Sequence, residues 1–225
     1  HDIKWLTNAR VDRVEPDAVE CTEIVAEGKP GPQHRFPARL AMLIPGFRGV
    51  ACLMGDDCKG LPGLANPRGF VLVDKHQRNP AYGNIFAVGV CIAIPPYEQT
   101  AVPVGVPKTG YMIESMVAAV AENISALIAG REPAREPTWN AVCLADFGND
   151  GVAFVALPQI PPRNVNWSSR GYWVHAAKIG FEKYFLHKVR SGASEPGYER
   201  LAMKLLGINR LRPEKTETPP PEHAA

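Results

Sequence analysis

The sequence predicts an α/β fold, and three observations carry that prediction. Residues 85–91 form an apolar run interrupted only by Gly89, short enough for a buried parallel strand. From Thr109 and Gly110 onward, Ile113, Met116, Val117, Val120, Ile124, Leu127 and Ile128 follow a 3.6-residue period up to Gly130. This spacing predicts a buried helix of about five turns with Thr109 as N-cap. Short β-like pieces separated by turn residues precede this unit, and a hairpin pattern follows it. At 225 residues and 45% hydrophobic content, the chain suits one or two domains with a sizeable core.

In chain order, the pieces 3–7, 19–25 and 39–44 read as strands, with a turn around Gly28 and Gly31. Residues 63–69 read as a loop and 70–74 as a short strand before the run 85–91. Pro133 and Pro137 mark 131–139 as a linker. Segments 141–145 and 152–157 flank Gly148, Asn149, Asp150 and Gly151, residues that tolerate positive φ, so a β-hairpin is predicted, broken by the prolines of 158–162. Two amphipathic helices follow. Val174, Ala177, Phe181 and Phe185 share a face of the first. Tyr198, Leu201, Ala202, Leu205 and Leu206 share a face of the second, with Ser194 as cap, Pro196 early and Gly207 as stop. The stretch from Pro213 is predicted to be disordered.

Net charge is only +2, but it is uneven: residues 163–212 hold ten Lys/Arg against three Asp/Glu. Five cysteines without a C-x-x-C pair argue against a disulfide framework or a zinc ribbon and for reduced or catalytic thiols. No metal signature is visible. No uninterrupted apolar run reaches the eighteen or so residues that cross a bilayer, and no signal peptide is visible, so membrane contact is expected to be peripheral.

A strand leading to a helix N-terminus is a place to hold a flavin. Glycine at the strand end lets backbone approach a ligand, and the helix points unpaired N–H groups and positive partial charge at it. A reduced, anionic flavin gains from both. Here the motifs NIFAVGVCIAIPP, VPKTGYMIESM, VCLADFGNDGVAFVALPQIPPRNVNW and WVHAAKIGFEKYFLHKVRSG, spanning residues 84–192, resemble the C-terminal half of sulfide:quinone oxidoreductases, a branch of the two-dinucleotide-domain flavoproteins.

The resemblance implies an α/β, partial two-domain Rossmann-like flavoprotein with a C-terminal amphipathic helical membrane-binding tail. It divides the chain into 1–75, the remainder of a second, NADH-domain-like unit not expected to use NADH, and 76–165, the end of the FAD-binding domain. Residues 166–212 become membrane- and quinone-binding helices, and 213–225 a disordered tail. The pyrophosphate-holding G-x-G-x-x-G turn is absent from the sequence, so the resemblance implies that this turn lies upstream. The implied cofactor is FAD, and the implied partners are sulfide, membrane quinone and the lipid surface of a bacterial plasma membrane, face undecided, with a homo-oligomer allowed.

By resemblance, Cys143 is one of a redox pair beside the flavin, its partner lying upstream. Sulfide oxidation needs a sulfur that can carry a persulfide and a thiolate that can attack. From the residues alone, a buried inert thiol is the better reading of Cys143. Gly89 carries over as a flavin-contacting glycine. Val90 stands where the wider superfamily has Asp, so no side-chain bond to the ribityl chain is made there.

Thr109 and Gly110 would present the helix N-terminus to the flavin's pyrimidine edge. A plain helix cap is the alternative. Lys108 either adds positive charge there or stays exposed. Lys178 and Phe181, three apart on one helical face, match the family's lysine near flavin and quinone and the phenylalanine against the quinone ring, with Val142 closing the other side. The alternative is an interfacial helix with a snorkelling lysine. Cys91 reads as a packing residue. Cys21, Cys52 and Cys58 have no supporting context, and Cys52 and Cys58 read as unrelated thiols rather than a metal pair.

Trp167, Tyr172, Trp173, Phe181, Tyr184 and Phe185 together with the basic excess suit an interfacial membrane anchor. Nucleic acid is not expected, since no RNA-binding signature accompanies the basic aromatic tail. Three rival functions stay open. A flavocytochrome-type sulfide dehydrogenase subunit would pass electrons to haem, and a type II NADH:quinone dehydrogenase would not need Cys143. The third is a lipid-binding fragment without activity.

Overall fold

The computed structural model describes residues 3–25, 28–44, 46–54, 60–96, 98–102 and 105–212. Cys58 and the tail from Pro213 lie outside them. The chain forms two compact units, His1–Arg48 with Ile94–Val106 and Gly49–Ala93 with Pro107–Ala225.

The first unit is built on an antiparallel sheet of β1 (Ala9–Val14), β2 (Ala18–Ile24) and β3 (Pro30–Pro37), in that order. Central β2 buries Ala18, Cys21, Thr22 and Ile24. The outer strands carry Arg10, Asp12, Arg13 and Arg35, as edges exposed to water do, and the central strand adds the half-buried Glu20 and Glu23. Thr22 Oγ1 donates to Asp12 at 2.5 Å and Arg10 Nε donates to Asp12 at 2.8 Å, and together they hold the Asp12 carboxyl below its usual range. The strand expected over 19–25 is β2. Those expected over 3–7 and 39–44 do not form. Ile3, Trp5, Leu40, Met42 and Ile44 are exposed, without the pairing and burial that make apolar residues into a strand.

In the second unit, residues 60–93 are irregular. The strands expected over 70–74 and 85–91 are replaced by isolated bridges, Val71 to Ile92 in parallel and Arg78 to Phe86 and Ala65 to Val71 antiparallel. Gly89 explains part of this: its φ of +76° turns the chain into a 3-10 turn at Gly89–Cys91 rather than continuing it extended. Buried Asn79 organises the segment, its amide donating to the carbonyls of Gly63, Leu64 and Leu72 while its side-chain oxygen accepts from the N–H groups of Ala81 and Tyr82.

Helix α1 spans Gly110–Ile128 with Thr109 as N-cap, where the sequence predicts it. Its inward face is Met112, Ser115, Met116, Ala119, Asn123 and Ala126, whereas Val117, Ile124 and Ile128 face solvent. The predicted apolar stripe is therefore rotated, because two polar residues find buried partners. Asn123 donates to the carbonyls of His76 and Arg135, and Ser115 to that of Arg210 at 2.5 Å. By length and composition α1 is apolar enough to cross a membrane, a property that counting uninterrupted apolar residues does not reveal.

The hairpin forms as predicted: β4 (Ala141–Asp146) pairs antiparallel with β5 (Gly151–Leu157). A third strand not foreseen, β6 (Val165–Arg170), extends it in the order β4-β5-β6. Helices α2 (Tyr172–Ser191) and α3 (Gly197–Leu205) follow, with Pro196 rather than Ser194 as the N-cap of α3. α2 packs on β4 and β5, and α1 also packs on β4. Both sheets are antiparallel, so the molecule is a mixture of helix and antiparallel sheet. Among the described residues the only parallel pairing is the Val71–Ile92 bridge.

Candidate functional site

Gly89, Lys108, Thr109 and Gly110 converge at the N-terminal end of α1. Gly89 is buried and donates its N–H to the Met116 sulfur at 3.3 Å, which pins the 3-10 turn to the helix. Lys108 donates to the carbonyls of Val90 at 3.1 Å and Ile92 at 2.6 Å, and its ammonium lies 4.7 Å from the centre of the Phe70 ring. Burial pushes its pKa below the ordinary lysine value. It is therefore a half-buried staple holding the turn, not a freely exposed lysine.

Thr109 caps α1 in extended conformation without a side-chain cap bond, and its hydroxyl is buried with no hydrogen-bond partner. A buried unsatisfied hydroxyl costs free energy that a ligand could recover. The first N–H groups of a helix have no intrahelical acceptor, and a Cβ added at Gly110 would meet nothing within 4 Å. This end can take the polar, electron-rich edge of a planar ligand.

The second group lies on β4, the edge strand of its sheet. Successive side chains alternate faces, so Cys143 lies opposite to Val142 and Leu144. Gly151, cross-strand from Asp146, lies under Val174 of α2: a Cβ there would meet the Val174 side chain at 2.8 Å. The face bearing Val142, Leu144 and Asp146 is therefore the one α2 covers, and Cys143 points the other way.

Lys178 reaches the strand edge, donating to the Leu144 carbonyl at 3.5 Å, and its ammonium lies 5.8 Å from the centre of the Phe181 ring. Phe181 stacks on Phe185 at 5.9 Å while remaining 46% exposed. Cys143 is a half-buried free thiol, raised above its ordinary pKa by burial and pulled partly back by the charge of Lys178. The geometry thus places a thiol on one side of β4 and an apolar, aromatic wall on the other, with a cation at the edge between.

The other cysteines take no part in this arrangement. Cys91 is exposed, its thiol donating to the Val88 carbonyl at 3.0 Å, which corrects its reading as a packing residue. Cys21 is buried in β2 and Cys52 is exposed. No cluster of metal-ligating side chains occurs among the described residues.

The sequence reading missed two constellations. The first is buried: Lys188 and Arg210 lie between Glu114 and Glu199, with Lys188 to Glu114 at 2.9 Å and Arg210 to Glu199 at 2.8 Å, and Tyr184 donating to Glu199. It ties α1, α2, α3 and the segment after α3 together. The second is His175 Nδ1 against Asp146, at 3.0 and 3.1 Å from its two oxygens. Neither leaves a local signature, since the partners are 11 to 96 residues apart in sequence.

The buried cluster also changes the reading of the basic tail. Of its ten cations, Arg170, Lys188, Arg200, Arg210 and Arg212 are engaged in ion pairs. Exposed apolar residues remain, among them Tyr172, Trp173, Ile179, Phe181, Phe185, Leu186, Val189, Tyr198, Leu201, Leu205 and Leu206.

No family model matches the chain. Over 207 residues it is 42% identical to the sulfide-quinone reductase of Aquifex aeolicus (strain VF5), an alignment covering 91% of this chain and 46% of that protein. Its fold is similar to the X-ray structure of the sulfide:quinone oxidoreductase from the hyperthermophilic bacterium Aquifex aeolicus, with a TM-score of 0.86 and 38% identity, over 100% of this chain and 51% of that one. The chain spans about half the length of these relatives, and what it matches is their C-terminal half.

Proposed function

We propose that this chain is the C-terminal half of a sulfide:quinone oxidoreductase, in which sulfide is oxidised at a cysteine and its electrons pass through FAD to membrane quinone. The observation that carries the proposal is the division of β4 into two faces. A thiol on one face and an aromatic wall on the other suit a planar redox cofactor that takes electrons on one side and releases them on the other. In domain terms, 1–75 complete the second dinucleotide-binding unit, 76–165 complete the FAD domain, and 166–212 dock on quinone and lipid.

The residues at the start of α1 fit FAD. The unpartnered Thr109 hydroxyl and the open N–H groups at Gly110 would hold the pyrimidine edge, whose negative charge on reduction the helix N-terminus favours by about 0.3–1 kcal/mol or more. Gly89 would let backbone approach the ring system, and Lys108 keeps that turn in place. When bound, FAD supplies a two-electron acceptor for sulfur and a two-electron donor for quinone.

Cys143 acts as the sulfur that hydrosulfide attacks and as the persulfide carrier. Hydrosulfide attacks a disulfide between Cys143 and an upstream cysteine, forming one S–S bond as it breaks another and releasing a thiolate. A second hydrosulfide would take the outer sulfur from the Cys143 persulfide as polysulfide, and passage of two electrons from the two resulting thiolates to bound FAD would remake the disulfide. Raised by burial, the Cys143 thiol depends on the Lys178 charge for part of its thiolate fraction.

On the opposite face, Val142 and Phe181 sandwich the quinone ring and Lys178 hydrogen-bonds its carbonyl oxygen. The exposed apolar residues of α2 and α3 dip into the acyl boundary of the bacterial plasma membrane, where quinone resides.

The test is sulfide-dependent reduction of a quinone by the full-length protein that contains this chain. Cys143→Ser should abolish it, and near-normal turnover would remove the assignment. A protein that instead reduced quinone with NADH, undisturbed by Cys143→Ser, would be a type II NADH dehydrogenase.

A further inference from the structure

We propose that His175 and Asp146 form a proton relay serving Lys178. The inference rests on the quinone-reducing reading above and assigns it a residue pair which that reading does not use. Each quinone reduced takes up two electrons and two protons. The electrons come from sulfide, but a quinone seated against Phe181 and Val142 under a lipid-facing helix is cut off from bulk water. Something must carry protons to it.

His175 sits one turn before Lys178, at the i, i+3 spacing that puts both on one helical face with about 5–6 Å between their Cβ atoms. Both side chains return to the end of β4: Lys178 to the Leu144 carbonyl at 3.5 Å, and His175 Nδ1 to the Asp146 carboxylate at 3.0 Å. The His175 side chain is 25% exposed and that of Asp146 29%, so the pair touches both solvent and the packed interior. Tyr172, whose ring centre is 5.6 Å from that of His175, covers one side, and the Asp150–Arg170 ion pair closes the hairpin end nearby.

The arrangement is that of an imidazole held by a carboxylate. Asp146 accepts from Nδ1–H, fixing the orientation of the ring, and leaves Nε2 as the atom that gives and takes the proton. Nε2 has no hydrogen-bond partner among the described residues.

Lys178 gives a proton to the quinone oxygen and becomes an amine. The His175 imidazolium passes a proton through a bridging water to Lys178 Nζ, and the neutral imidazole is reprotonated from solvent through its exposed edge. Charge and protons balance over each cycle, two cycles serving each quinol.

The experiment uses the full-length protein with a short-chain ubiquinone analogue as acceptor. His175→Ala should lower kcat at least about tenfold while the quinone KM stays within about twofold. Added imidazole should restore kcat in a dose-dependent manner, an effect that a merely structural histidine would not show. Asp146→Asn, a smaller change to packing, should lower kcat in the same direction by a smaller factor. Bleaching of the flavin by sulfide alone should keep its wild-type rate in both variants.

A His175→Ala protein with wild-type kcat, or one whose loss imidazole does not reverse, overturns the relay. Failure of the wild-type protein to reduce quinone with sulfide overturns the underlying reading and the relay with it. A wild-type protein that is active alongside an unaffected His175→Ala removes the relay alone.

Discussion

The two sheets have the same topology, three antiparallel strands in sequential order, and carry quite different loads. In β1-β2-β3, only the central strand is buried, and the outer strands meet water with Arg10, Asp12, Arg13 and Arg35. In β4-β5-β6, Ala141, Ala153 and Ala156 are almost fully buried because helices pack where their small side chains leave room. The sheet that helices cover is the one on which a thiol, a lysine and a histidine can be held at fixed positions. Covering a sheet excludes water and fixes geometry, and chemistry needs both.

The contrast can be broken or sharpened by substitution. The largest effect is expected in the ion cluster that holds the helical cover. Glu199→Ala leaves the mostly buried Lys188 with Glu114 alone and Arg210 with Glu114 and a longer contact to Glu195, and should cost about 3–5 kcal/mol in urea unfolding. The corresponding cluster on the first sheet, Arg35 with Glu15 and Asp17, is open to water, and Arg35→Gln should leave the unfolding midpoint unchanged.

Next comes Gly151→Ala, whose methyl would sit 2.8 Å from both the Ala145 carbonyl and the Val174 side chain. It should cost about 1–3 kcal/mol by the same measurement. Val11→Thr, on the exposed edge of the first sheet, should stay within about 0.5 kcal/mol.

A smaller effect concerns pH. Burial pushes the Tyr111 hydroxyl from its ordinary 10 up to about 12, so the fold holds the neutral form. That contribution is fully present below pH 10 and is lost as pH rises through 12. The thermal midpoint should fall across that window, and fall less in Tyr111→Phe. Smallest is Lys178→Met, which removes the charge that partly offsets burial of the Cys143 thiol and should slow its alkylation by iodoacetamide at pH 8 by less than about tenfold.

What the sequence made legible was local. The turn residues at 148–151, of which Gly148 adopts positive φ, announced the hairpin, and Thr109 with the 3.6-residue period bounded α1 to within a residue. Edge strands were harder: β1 reads Ala-Arg-Val-Asp-Arg-Val, and its charges mask a strand that exists because β2 pairs with it. The run 85–91 erred the other way, its apolar composition suggesting a strand that positive φ at Gly89 interrupts.

Within the candidate site, Val142, Cys143, Lys178 and Phe181 were found through family motifs, and the pleat then separated thiol from wall. His175 with Asp146, and Lys188 with its acidic partners, were invisible because long-range pairing leaves no spacing rule in one sequence. The predicted stripe on α1 failed for the same reason, since Ser115 and Asn123 are buried by partners far along the chain.

The most direct measurement separates the two faces of β4 kinetically. In the full-length Cys143→Ser protein, stopped-flow absorbance should show that sulfide no longer bleaches the flavin, while flavin reduced chemically is reoxidised by quinone at the wild-type rate. Loss of both half-reactions, or retention of sulfide-driven bleaching, would contradict the assignment of thiol and quinone to opposite sides of one strand.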